Sequence, residues 1–86
     1  MNQGIIISDD QHWQPVEQRI EFSAQVGGAK VQCAVRKATL EHMVGLPLND
    51  EATLLEAYHS VQFDIEDLIE QRIDAEDYDT SGAVVL

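Results

Sequence analysis

The sequence predicts an α+β fold: a three-strand β-β-β meander built around an antiparallel hairpin, then a short and a long α-helix packed on one sheet face, with a short C-terminal strand. Three observations carry this. Residues 20–35 alternate apolar and polar on both sides of Gly27-Gly28, and residues 54–73 hold an apolar stripe at helical spacing. The resulting order, β-β-β-α-α-β, lacks the regular βα alternation of a parallel sheet. At 86 residues the chain has room for one thin core, so residues 1–86 are expected to form a single α+β domain.

The hairpin comes first because two independent signals meet there. Ile20, Phe22, Ala24 and Val26 alternate with Arg19, Glu21, Ser23 and Gln25; beyond the glycines, Ala29, Val31, Cys33 and Val35 alternate with Lys30, Gln32, Ala34 and Arg36. Glycine reaches the positive φ angles that a two-residue turn needs to match strand twist. If Val26 faces Ala29, the pairs 24/31, 22/33 and 20/35 are all apolar, and 25/30, 23/32, 21/34 and 19/36 are polar except for Ala34. A slip of one residue would scramble both faces.

The remaining elements follow from local chemistry. Ile5 to Ser8 reads as the first strand, followed by a polar loop through Asp9-Asp10 to Pro15. Thr39 can cap a short helix with Leu40, Met43 and Val44 on one side, ended by Gly45. Leu46-Pro47-Leu48 connects it to a long helix capped by Asn49, with Asp50 and Glu51 in the first turn, where acids suit the helix dipole. Leu54, Leu55, Tyr58, Val61, Ile65, Leu68, Ile69 and Ile73 form its apolar stripe. After a polar turn at Asp77 to Gly82, Ala83 to Leu86 reads as a terminal strand.

Charge narrows the partners. Sixteen acids against five Lys and Arg give −11, and the imbalance is local: residues 1–48 hold five acids and four bases, residues 49–86 eleven acids and one base. Nucleic acid and anionic membrane both demand a cationic footprint, so neither is expected as a partner. No apolar run approaches the ~20 residues of a membrane-spanning helix. The start, Met1-Asn2-Gln3-Gly4, lacks a positive n-region, and Cys33 is the only cysteine, which rules out an internal disulfide. A cytoplasmic setting is the expectation.

No residue pattern demands a cofactor or sets out a catalytic constellation. The glycines at 4, 27, 28, 45 and 82 make no phosphate-binding loop. His12, His42 and His59 are scattered, whereas zinc needs three or four converging ligands. Cys33 lies on the apolar hairpin face, where a thiol is a small hydrophobe rather than a nucleophile. Asp77-Tyr78-Asp79-Thr80-Ser81-Gly82 matches the start of a calcium loop, with Asp77, Asp79 and Ser81 at ligand positions and glycine at position 6. The bidentate acid of such a loop would fall at residue 88, so the segment reads first as an Asp-rich turn. A partial metal site completed by Glu76 or a neighbouring chain is the alternative.

Two surface features point to partners. Phe63 lies about 140° around a continuous helix from Tyr58, among Glu56, His59, Ser60, Asp67 and Glu70. Another segment such as the N-terminal loop with Trp13 covers it, or it contacts a partner, or it is simply exposed. On the polar hairpin face, Arg19 falls opposite Arg36, an unfavourable pairing unless Glu17, Glu21 or a bound anion intervenes. That comparatively basic face could receive an acidic surface, and the helix offers one: Glu66-Glu70 and Glu70-Asp74 are like-charge i, i+4 pairs.

Met1-Asn2-Gln3, Trp13, Phe22-x-Ala24-x-Val26-x-Gly28, Cys33-Ala34, Leu40, Gly45, Tyr58 and Asp64-Ile65-Glu66 together resemble the YrdB-like proteins, small bacterial proteins of unknown function. The resemblance implies a compact α+β domain in the bacterial cytoplasm and transfers no catalytic or binding residue. Gln62 departs from it, standing where a basic residue is common before the second helix aromatic. The expected role is a non-enzymatic protein-interaction or self-associating module, its partner a second copy or a basic protein. The contact residues are Phe63, Glu66, Asp67 and Glu70 on the helix and Arg19 and Arg36 on the hairpin. The alternative is weak divalent-metal or small-ligand binding at Asp77, Asp79 and Ser81.

Overall fold

The computed structural model describes residues 4–86; Met1-Asn2-Gln3, part of the YrdB-like resemblance, lies outside them. The described elements are β1 (Ile5–Ile7), β2 (His12–Gln14), β3 (Arg19–Val26), β4 (Ala29–Arg36), α1 (Lys37–Val44), α2 (Glu51–Ser60), α3 (Gln62–Asp74) and β5 (Val84–Val85). They form a mixed α+β fold. The sheet runs β1-β3-β4-β5, with β2 also paired to β3.

β3 and β4 make the hairpin in the register that alternation predicts, from Val26 opposite Ala29 to Arg19 opposite Arg36. Gly27 and Gly28 take φ of 58° and 89°, the positive values this turn requires. Ile20, Phe22, Ala24, Cys33 and Val35 are buried against the helices, while Gln25, Lys30 and Gln32 face solvent.

The polar loop expected between Asp9 and Pro15 contains a strand instead. β1 and β2 are two pieces of one antiparallel edge along β3: Ile7 faces Ala24, and His12 faces Glu21. Between those pairs the edge has residues 8–11 where β3 has only 22 and 23. The surplus is even, so it does not exchange the two faces. Ile5, Ile7 and Trp13 therefore all pack against the core. Three residues with a single apolar member, His12-Trp13-Gln14, hold no readable alternation, and only pairing to β3 makes them a strand. The β2–β3 turn closes on Gln14, whose Oε1 accepts the Val16 N–H at 2.8 Å and the Glu17 N–H at 3.4 Å.

α1 starts at Lys37 directly from β4. Thr39 lies inside it rather than capping it, and the extended Arg36 at the N-cap makes no side-chain cap bond. Gly45 ends it as expected, in the left-handed conformation at φ 74°. α2 is capped by Asp50, not Asn49: Asp50 Oδ1 accepts the Thr53 N–H at 2.8 Å, and the Thr53 hydroxyl completes the capping box.

The long helix is in fact two. Val61 (φ −119°, ψ 21°) leaves helical geometry between α2 and α3. The Ser60 hydroxyl donates back to the Ala57 carbonyl at 2.7 Å, a local competition that bends helices. Because both sides of the break keep their apolar faces on the sheet, the stripe reads as unbroken in sequence. Leu54, Tyr58, Ile65, Ile69 and Ile73 are fully buried, with Ala57 joining them. Leu68, placed in the stripe, is 37% exposed, because Ile65, Ile69 and Ile73 define the centre of the face and Leu68 falls at its border. Phe22 and Tyr58 join the layers, ring edge to ring face, with centroids 5.5 Å apart.

β5 lies at the far edge, parallel to β4, with Cys33 beside Val84 and Ala34 beside Val85. The Leu86 N–H donates to the Ala34 carbonyl and the Arg36 N–H to the Leu86 oxygen. The three helices thus form one crossover between adjacent parallel strands, and the sheet is mixed.

Candidate functional site

The residues expected to meet a partner fall on two separate surfaces. On the first, Phe63 occupies the opening turn of α3 with 83% of its surface exposed. Trp13 packs on the core beside Ile20 and does not cover it. The break at Val61 replaces the continuous helix that a 140° offset from Tyr58 assumes, yet the Phe63 side chain still faces away from the core. Asp64 and Asp67 beside it are exposed, while Glu66 and Glu70 are half-buried. Glu66 accepts a hydrogen bond from Gln62 Nε2 at 3.0 Å, so the residue that replaces a basic one ahead of Phe63 steadies the acidic strip.

The second surface is the outer sheet face. Arg19 and Arg36 are cross-strand partners, and separate acceptors relieve their repulsion. Arg19 Nε donates to Glu21 Oε2 at 2.8 Å, which selects Glu21 over Glu17 as the intervening carboxylate. The other Glu21 oxygen lies 3.4 Å from His12 Nε2. Arg36 Nε donates to the Leu86 main-chain oxygen at 3.0 Å. An adjoining cleft of about 370 Å³ sets Arg36 and Lys37 against Glu17 and Glu41. This corner is therefore zwitterionic rather than basic, and it offers an acidic partner less net attraction than the spacing of the arginines alone implies.

The Asp-rich turn is held by its own main chain. Asp79 Oδ1 accepts the Ser81 N–H at 2.9 Å, the Ser81 hydroxyl at 2.6 Å and the Ala83 N–H at 2.9 Å. The Ser81 hydroxyl bond, then the Ala83 amide, hold its carboxyl below the ordinary value against a small effect of burial, with Arg19 adding to the lowering. Asp77 turns to Arg72, at 3.7 Å. Among the described residues, no three His, Cys, Asp or Glu side chains converge as metal ligands would.

Beside α2 lies an apolar cleft of about 220 Å³, walled by Val44, Leu46 and Leu48 on one side and Ala57 and Ser60 on the other, with Glu56 also lining it. The Leu46-Pro47-Leu48 segment reads as a plain connection, because a concave surface between two helices depends on how they dock. Leu46 remains 59% exposed at its rim.

A family model for proteins of unknown function, DUF1488, matches residues 5–86, nearly the whole chain. The chain belongs to the DUF1488 family. Its fold is similar to the crystal structure of a DUF1488 protein of unknown function from Shewanella loihica PV-4, with a TM-score of 0.95 and 30% identity over 100% of this chain and 94% of that one. No curated protein matches.

Within this DUF1488 chain, most of the residues that carried the YrdB-like resemblance hold the fold together. Phe22, Ala24, Cys33, Ala34, Leu40, Tyr58 and Ile65 are buried, Trp13 packs against the core, and Gly28 and Gly45 sit at positive φ. Among the described residues, no helix is long and apolar enough to cross a membrane.

Proposed function

We propose that this DUF1488 protein is a non-enzymatic interaction module of the bacterial cytoplasm, and that the YrdB-like resemblance describes the same kind of protein. The observation that carries the reading is Phe63, a large aromatic 83% exposed among acidic neighbours in the first turn of α3. Aromatic side chains are enriched in interface cores and among the residues that carry binding energy, which makes this exposed ring the candidate anchor. The acidic strip of Asp64, Glu66, Asp67 and Glu70 then sets which partners approach, favouring basic surfaces and repelling acidic ones.

Phe63→Glu tests this directly. The variant should either change the oligomeric state seen by sedimentation or lose a partner that the wild-type protein captures from a lysate. A monomer at every salt concentration, before and after the substitution, with no partner lost, sinks the reading. Divalent-metal or small-ligand binding at Asp77, Asp79 and Ser81 has less support, since Asp79 Oδ1 already accepts three hydrogen bonds within the turn. Calorimetry with Ca²⁺, Mg²⁺ and Mn²⁺ checks it, and no heat at millimolar ion removes it.

A further inference from the structure

We propose that the cleft beside α2 binds a small amphiphilic cation, a free alkylammonium with its hydrocarbon tail in the hollow and its head on Glu56. Size is the first observation. The hollow measures about 220 Å³, and a cavity of about 150 Å³ already takes benzene, so an aliphatic tail of similar bulk fits. The lining is the second. Val44, Leu46, Pro47, Leu48 and Ala57 give hydrocarbon walls, and among the described residues no Lys, Arg or His lines the cleft. Leu46 is 59% exposed at the rim, so part of that wall stays wet until an apolar group covers it.

The polar groups decide the charge of the ligand. Thr53 and Ser60 also line the cleft, but both hydroxyls are committed within α2 and its cap. The Thr53 hydroxyl donates to the Asp50 carbonyl at 3.0 Å, and the Ser60 hydroxyl to the Ala57 carbonyl at 2.7 Å. Glu56 makes no hydrogen bond or ion pair with any described residue. A carboxylate left without a partner beside an apolar wall repels anions and gives an ammonium a charge-assisted hydrogen bond. The net charge of −11 acts in the same direction, drawing cations to the surface. Because Glu56 is exposed, the head stays at the mouth in contact with water while the tail lies against the walls, as long cationic side chains do on apolar surfaces. That orientation selects a ligand whose far end is free hydrocarbon. A partner's lysine would have to bring its own main chain toward the hollow. The hollow is smaller than the roughly 300–1,000 Å³ of most ligand pockets, so the affinity is on the order of millimolar. The site is independent of Phe63 and of the interaction-module reading.

NMR of the ¹⁵N-labelled full chain reads the prediction, with n-hexylammonium chloride as the probe and ammonium chloride at equal ionic strength as the blank. The Ala57 and Ser60 amides should shift saturably below about 50 mM hexylammonium. 1-Hexanol, the same length without the charge, should bind about threefold more weakly, and hexanoate should not bind. Glu56→Gln should weaken hexylammonium about threefold, the size of an exposed ion pair, and leave 1-hexanol unchanged. Glu51→Gln removes the same charge from α2 outside the cleft and should change neither. Ser60→Leu, at an exposed position, should fill the hollow and abolish the Ala57 shift with the circular dichroism spectrum unchanged. No saturable shift, equal affinity for 1-hexanol and hexylammonium, equal losses from Glu56→Gln and Glu51→Gln, or shifts confined to residues 64–70 each overturn the inference. Tighter binding of Nα-acetyl-lysine methylamide than of hexylammonium overturns it too, since it assigns the cleft to the side chain of a partner.

Discussion

The Asp10 carboxylate takes the place of main chain opposite Ser23. Its Oδ1 accepts the Ser23 N–H at 3.0 Å and its Oδ2 the Ser23 hydroxyl at 2.7 Å, where the edge departs from β3 between β1 and β2. Ser23 is buried on the outer sheet face, as Ala34 is, so its amide needs this acceptor. Replacing Asp10 with Ala should cost about 1–3 kcal/mol, the penalty of orphaning a buried donor. Chemical denaturation of the two proteins measures it, with Asp10→Asn expected to lose less because it retains one carbonyl acceptor.

The same bond makes stability depend on acid. Burial raises the Asp10 carboxyl, but the bonds from the Ser23 hydroxyl and amide, helped by Lys30, outweigh it and leave it below its ordinary value. A depressed carboxyl contributes stability that is present above the unfolded value of about 4 and is lost as pH falls through the folded one. Thermal melts from pH 6 to pH 2 should show wild type losing more stability across that window than Asp10→Asn.

Tyr58 carries the opposite dependence. Burial pushes its phenol up to about 12, opposed by the Gln11 amide donating to its hydroxyl at 3.3 Å and aided by the nearby charges of Glu66, Cys33 and Asp9. Gln11 also donates to the Ser8 carbonyl at 3.0 Å, so one side chain ties the sheet edge to α2. An acid with a raised folded value keeps its proton in the fold, so stability is complete below the ordinary phenol value of about 10 and declines as pH climbs toward 12. Denaturation at pH 9 and pH 11.5 should show this loss in wild type and a smaller one in Tyr58→Phe.

Cys33 is packed rather than poised. Burial, then the Asp10 charge, pushes its thiol up to about 11. At pH 8 a disulfide reagent should leave the native protein unmodified and titrate one thiol per chain in denaturant. Fast native reaction at pH 8 would contradict the buried hairpin face.

Glu76 sits just past α3 at φ 55°, a left-handed conformation that costs a non-glycine residue about 1 kcal/mol. Its N–H donates to the Ile73 carbonyl, and the Asp77 N–H to the Arg72 carbonyl at 2.8 Å, so the turn is built for glycine. Glu76→Gly also removes a negative charge from the helix C-terminus, where the dipole disfavours it. The variant should gain about 1 kcal/mol, a rise of roughly 4–8 °C in Tm by calorimetry for a chain of this size.

Period-two alternation and a glycine pair were enough to place all eight cross-strand partners of the hairpin, because a register error turns every side chain to the wrong face. Helical spacing likewise identified Tyr58, Ile65, Ile69 and Ile73 as core and left Phe63 outside it. These features were legible because each is a property of a contiguous segment. The break at Val61, the strand status of His12–Gln14 and the Asp10–Ser23 bond were not. Each depends on a partner distant in sequence, or on a bend that leaves the apolar pattern intact. The cleft between Leu46 and Ala57 belongs with them, since a hollow exists only once two helices have docked. The sequence by itself thus determined the register of the β3–β4 hairpin and which of its faces is dry. Only the tertiary structure decided that β5 joins it in parallel and that an apolar hollow opens within a few residues of Phe63, because both arise from how separate elements pack.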